Sequence, residues 1–199
     1  MIKRLINPFI YIAGAPSLIA GILIIFLTSV IGYYSNTYFP DVISVKTAPG
    51  LKVWYLIILG FSNWLVLSTV LYLAAVIFSK SSVRVVDIFG TQALARFPYL
   101  LASFIGFSGS IDRFGKYVLW TYLQKGEPVI ISVSTMIFAI ILIVITIMLT
   151  VWLIVLNYNA FKVSANIKGT KSIVLFTTSL IISIVFTSLF SKFLFIQFS

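Results

Sequence analysis

The sequence predicts an all-α fold: a polytopic membrane helical bundle of five transmembrane helices with short interfacial amphipathic helices. Three observations predict it. Of the 199 residues, 61% are hydrophobic and only 9% charged, with a mean hydropathy of +1.15, whereas soluble domains carry roughly 25% charged residues. Five long apolar stretches, at about 17–34, 53–78, 93–111, 129–158 and 172–195, are separated by short polar connectors, which puts the whole chain, 1–199, in one transmembrane domain. The 14 basic residues outnumber the 4 acidic ones and sit singly or in pairs at the ends of those stretches. That placement suits anchoring against anionic lipid and excludes a nucleic-acid surface.

Lys3 and Arg4 ahead of an apolar run imitate a secretory signal. A cleavable signal has an apolar core of about 7 to 15 residues, and the longer run from Ser17 to Tyr34 ends in aromatics, so it reads as a retained first span. Proline is tolerated in the first turn of a helix; Pro8 is therefore expected to open a short interfacial helix, Pro8 to Gly14, and Pro16 to open span one. The connector Ser35 to Lys52, with Pro40, Asp41, Pro49 and Gly50, reads as a polar loop. Span two has Trp54 and Tyr55 at one interface and Lys80 at the other, the usual belt residues.

The stretch SSVRVVDIFGTQALARFPYLLASFIG, Ser81 to Gly106, carries two arginines and an aspartate among apolar residues. At 100° per residue, Lys80, Arg84, Asp87, Thr91 and Ala95 share one arc, and Val85, Val86, Phe89, Ala93 and Phe97 the opposite one. This pattern predicts an amphipathic helix on the membrane surface. Pro98 lacks a backbone donor and is expected to kink the chain into a third span. Ala102, Gly106 and Gly109 are expected to let a neighbouring helix approach closely. GFSGSIDRFG lacks the P-loop lysine and its strand and reads as a flexible turn.

Pro128 is expected to open span four. Extended to Phe161 it is about 50 Å long, more than the roughly 30 Å hydrocarbon core, so its end near Tyr158 is expected to tilt or project. The polar island LNYNAFKVSANIKGTKS, Leu156 to Ser172, reads as a solvated basic hairpin before span five. Five spans put the termini on opposite sides, and the short basic connectors favour a cytoplasmic N-terminus.

Cysteine and histidine are both absent, which removes thiol nucleophiles, imidazole bases and the usual zinc or haem ligands. The four carboxylates, Asp41, Asp87, Asp112 and Glu127, all fall in expected connectors or at an interface. Coupled transporters usually place ionisable groups at membrane depth, so that class is disfavoured, and a passive pore lined by Ser and Thr stays open. Ser191 beside Lys192 is the one candidate dyad for an intramembrane hydrolase, and a lysine snorkelling to the interface is the plainer reading. No catalytic, cofactor or metal-binding residue is expected. The candidate lipid or partner contacts are Arg84, Arg96, Lys162, Lys168 and Lys171. Arg96, which falls on the apolar arc beside Gln92, either grips lipid phosphate or holds a contact within the bundle or with a partner.

WLVLSTVLYLAAVIFSKSSVRVVDIFGTQALARFPYLLASFIG, Trp64 to Gly106, joins a span, a short polar break, an amphipathic segment and a proline before a small-residue span. With VWLIVLNYNAFKVSANIKGTKSIVLF and the early NPFIYIAGAPS, it resembles the bacterial branch of the Yip family of five-span membrane proteins. The resemblance implies a non-enzymatic protein of the bacterial inner membrane that acts in membrane organisation or as a partner or scaffold of other membrane proteins, alone or as a homo-oligomer. Eukaryotic members act in vesicle traffic and membrane shaping. This chain departs from them: it lacks their long N-terminal region and the Asp-Leu-Tyr-Gly-Pro motif, so Rab binding is not carried over. A channel or small-solute permease is the alternative function.

Overall fold

In a lipid environment every backbone polar group must be satisfied within the protein, so long apolar runs free of interior proline fold as continuous helices. The computed structural model describes residues 5–79 and 81–198, and four such helices stand out: α1 (Gly14–Ser35), α2 (Val53–Phe78), α6 (Val133–Ala165) and α7 (Thr170–Phe198), each long and apolar enough to cross a membrane. Between α2 and α6 lie α3 (Val85–Leu94), α4 (Phe97–Ala102), a 3₁₀ turn at Ile105–Ser108 and α5 (Ser110–Leu123). A two-residue hairpin, β1 (Thr37–Tyr38) against β2 (Lys46–Thr47), pairs Thr37 with Thr47 between α1 and α2. The bundle is all-α apart from this hairpin.

The segment 85–108 is a broken helix that runs the length of the bundle. At one end the Asp87 carbonyl accepts from Ser164 Oγ at the close of α6, 3.2 Å away, and Gly90 lies against Ser17 and the Gly14 carbonyl at the start of α1. At the other end Gly106 lies against the Ser35 carbonyl and Thr37. The break falls at Ala95 and Arg96, ahead of Pro98 in the first turn of α4, because a proline ring collides with the preceding turn. A second bend of 66° sets α5 off from this segment. The chain therefore traverses the bundle five times, and α1 begins and α7 finishes at opposite ends of the molecule. We call the end holding the start of α1 the first end, and the end holding the hairpin the second.

Several sequence expectations are corrected. The segment after Pro8 is a single 3₁₀ turn, Pro8–Ile10, whose Phe9 is buried against Ala95, Leu156 and Ala160. The two arcs of the third segment do not divide its inside from its outside. Thr91 and Ala95 of the polar arc are buried and Arg84 is exposed, while on the apolar arc Val85, Val86 and Phe97 are exposed and Ala93 is buried, since neighbouring helices enclose the segment and its polar groups find partners inside. Residues 106–115, expected as a flexible turn, are instead the close of the 3₁₀ turn and the start of helix α5, with Asp112 and Lys116 paired at 2.8 Å on its face. Helix α6 starts at Val133, capped by Ser132 Oγ accepting from the Thr135 N–H, so Pro128 does not open it.

Helix α6 runs 33 residues, about 50 Å. Six of its seven buried residues lie between Leu153 and Ala165, so the Tyr158 end is the more packed one, while in the first half Leu142 and Leu149 are partly buried against Tyr99 and Ile105. The connector 35–52 is no plain polar loop either. Phe39 and Val42 are buried, Phe39 stacks on Tyr99 at 4.4 Å, and Val42 joins the cluster of Leu67, Leu71, Ile88 and Phe161. Lys80, expected as the anchor after span two, and Lys3 and Arg4 lie outside the described residues.

Small residues set the tightest packing. A Cβ on Gly21 of α1 would strike Ala93 of α3, and one on Gly106 would strike the Ser35 carbonyl, the close approach expected of Gly106. Gly109 does something else: its φ of +62° turns the chain into α5, and open space surrounds it.

Candidate functional site

Polar side chains at the centre of a membrane bundle are expensive and need partners. Here they converge from four elements. Asn63 of α2 donates from Nδ2 to the Phe39 carbonyl at 2.8 Å and the Asp41 carbonyl at 3.0 Å, which fastens the re-entrant 39–43 loop to α2. Gln92 of α3 donates to the Asn157 carbonyl of α6 at 3.0 Å, and Asn157 Nδ2 donates back to Leu153 within its own helix at 2.9 Å. Thr91 and Ser164 pair through their hydroxyls at 2.9 Å. These bonds lie where sequence periodicity gave no warning, and the signal that marks them is the presence of Asn63, Gln92 and Asn157 inside otherwise apolar runs.

Arg96 sits at the break between α3 and α4 and is 4% exposed. Its Nε and Nη2 have no hydrogen-bond partner in the structure, and neither do Gln92 Oε1, Asn157 Oδ1 and Asn63 Oδ1. Arg96 borders a small cavity of about 20 Å³ with Thr28, Ser29, Gly60 and Tyr99, about the space one water occupies. Donors and acceptors left over in one interior are what bridging water satisfies. Asp41 acts on Arg96 through space, yet the two form no ion pair; the Asp41 carboxylate instead accepts from the Ile43 and Ser44 N–H groups at 2.9 and 2.8 Å and from Ser188 Oγ at 3.4 Å. Sequence reasoning placed Asp41 in a solvated connector. Only the inward fold of the loop buries it, to 6% exposure.

The remaining candidates stand apart from this interior. Arg84 occupies the N-cap position of α3 and is exposed. Lys162 lies 6.0 Å over the Tyr158 ring, Lys171 donates to the Phe78 carbonyl at 2.9 Å and lies 5.5 Å over the Phe78 ring, and Lys168 is exposed between α6 and α7. All four come together at the first end, where the Ser79 hydroxyl also donates to the Ala165 carbonyl at 2.9 Å and closes α2 on α6. The structure thus separates Arg96 from Arg84, Lys162, Lys168 and Lys171. Part of the polar island is solvated as expected, but Asn157 and Ser172 are buried, and the Ser172 and Tyr158 hydroxyls lie 3.0 Å apart.

Ser191 and Lys192 do not form a dyad. Ser191 is buried against Tyr55, whose hydroxyl lies 3.3 Å from its carbonyl and 3.5 Å from its Oγ, while Lys192 is exposed on the next position of α7. No hydrogen bond joins their side chains among the described residues.

Four long apolar helices, a broken segment running beside them, apolar outer faces and a polar interior define a multi-pass integral membrane protein. No family model, curated protein or solved structure matches the chain.

Proposed function

We propose that this membrane protein is a non-catalytic, Yip-like organiser of the bilayer or scaffold for other membrane proteins, acting from its basic first end in a bacterial inner membrane with that end cytoplasmic. The observation that carries the reading is the gathering of Arg84, Lys162, Lys168 and Lys171 from three elements and their connectors onto one end, with the apolar outward faces of α6 and α7 left exposed for lipid or a partner helix. Polybasic groups next to spans attract anionic lipid at about 1 kcal/mol per residue. The interior polar bonds tie the broken third crossing to α2 and α6 and hold that end together.

In-membrane crosslinking from residues 162, 168 and 171 tests it. A recurrent protein partner or an enriched anionic lipid is expected, and both should be lost in the triple variant K162E/K168E/K171E. Recovery of neither from the wild-type protein would sink the proposal. A second reading, a small-solute permease, draws support from the unpaired Arg96 beside its cavity. It requires solute flux in liposomes holding the purified protein, and flux abolished in Arg96→Met; liposomes that pass nothing remove it.

A further inference from the structure

At the second end, away from the basic rim, the hairpin, α2 and the close of α7 enclose a cleft of about 360 Å³. Lys46 enters it from β2 and Lys192 from α7, and the buried Asp41 forms part of its wall with Tyr55 and Ser188. A neighbouring hollow of about 290 Å³ shares Tyr55 and Phe195 with it and adds Lys52 and Trp54. Three ammonium groups and one carboxylate thus line two adjoining hollows, with Ser188 and Ser191 and several aromatic and apolar residues completing the walls.

The carboxylate is already organised. Two backbone N–H groups hold Asp41 Oδ1, and Oδ2 receives only the 3.4 Å contact from Ser188, which leaves it capacity to accept another donor. Burial, with Tyr55 alongside, raises the Tyr38 phenol above its ordinary range, so this side chain at the cleft stays protonated and able to donate. Ile196 lines the cleft, and beside it on α7 Leu189 and Phe193 are exposed apolar residues. A buried carboxylate, two lysines exposed at the mouth and apolar residues of α7 beside them match an amphiphile better than a free solute.

We propose that this cleft binds a glycerophospholipid whose headgroup carries a primary ammonium on its phosphate. Lys46 and Lys192 take the phosphate, Asp41 Oδ2 accepts from the ammonium, and an acyl chain lies along α7 beside Phe193. A phosphate between lysines and an ammonium on a carboxylate are both charge-assisted contacts, the stronger kind of hydrogen bond. A glycerol headgroup offers Asp41 only neutral hydroxyl donors, which bond a carboxylate less strongly than an ammonium does, and a quaternary ammonium has no N–H to donate. The cleft therefore prefers ethanolamine over glycerol and choline headgroups.

The test is native mass spectrometry of the purified full chain, delipidated and exchanged into detergent with equal amounts of phosphatidylethanolamine, phosphatidylglycerol and phosphatidylcholine. One tightly retained phosphatidylethanolamine is expected. Lys46→Glu with Lys192→Glu should weaken its retention about tenfold or more, the scale of losing charged hydrogen bonds, and Asp41→Asn should abolish the preference over phosphatidylglycerol while leaving total retention largely intact. Circular dichroism and an unchanged melting temperature check that the variants fold. Equal retention of all three lipids, or wild-type retention by the lysine double variant, overturns the proposal. So does full competition by water-soluble glycerophosphoethanolamine, which would show that the cleft takes a free headgroup compound instead of a lipid.

Discussion

The broken third crossing, 85–108, and the continuous helix α6 make opposite use of the same membrane depth. The third crossing carries Thr91, Gln92, Arg96 and three prominent small residues, Gly90, Ala93 and Gly106, yet it is nearly enveloped by α1, α2 and α6. Helix α6 is a run of Ile, Val, Leu, Met and Thr, yet from Val133 to Trp152 only Ala139 is buried. In water the most apolar helix goes inside; in lipid, where hydrocarbon is as apolar as leucine, close packing of small residues and polar bonds select the interior. Hydropathy along this chain therefore reports exposure to lipid, and the interruptions in it report the core.

Topology offers the sharpest break of that comparison. The chain has no native cysteine, so single cysteines at positions 116 and 168 can be labelled from each side of the membrane. Lys116 lies on α5 at the second end and Lys168 at the first, and labelling from opposite sides is expected. Labelling from one side would mean that 85–108 dips in and returns.

Packing comes next in size. Gly21→Val drives a branched side chain into Ala93 and Leu94 and is expected to cost about 3 kcal/mol, the upper range of overpacking, measured by reversible unfolding in mixed micelles. Gly115→Ala on α5, where a Cβ meets open space, should instead be neutral or slightly stabilising, because alanine favours a helix by up to about 1 kcal/mol over glycine. Equal losses in both variants would show that α1 and α3 do not touch as described.

The polar bonds are expected to matter less than the glycines. Asn63→Leu leaves the Phe39 and Asp41 carbonyls without their donor, for a loss of about 2 kcal/mol and faster proteolysis of the 35–52 loop. Smallest of all, Ile141→Ala on the bare face of α6 is expected to change stability by less than about 0.5 kcal/mol. A loss of several kcal/mol there in membranes, absent in dilute detergent, would reveal a partner helix on that face.

Much of the architecture was legible in advance. The ends of α1 and α2 fall where aromatics, prolines and lysines punctuate the apolar runs, and Pro98 marks the break that the third crossing takes. Asn36 and Asn166 close α1 and α6 in the left-handed conformation, as asparagine tolerates. The helical wheel of 80–97 sorted residues by polarity and did not foretell burial, because Thr91 and Ala95 of one arc and Ala93 of the other are all enclosed by helices from distant parts of the chain. Arg96 stood out on that wheel, but Asp41 did not, since nothing local announces that a loop with two prolines will turn inward on Phe39 and Val42.

Composition and spacing alone determined that this chain lives in a membrane as helices, and roughly where each begins, because the length of an apolar run and the chemistry of its ends are local properties. The tertiary structure decided which helix is core and which is lipid-facing, that Asp41 and Arg96 share one interior, and that Lys46 and Lys192, distant in sequence, line one cleft. Those facts depend on close approach between segments far apart in the chain, governed by glycine contacts and leftover hydrogen-bonding groups, and no window of sequence contains both partners.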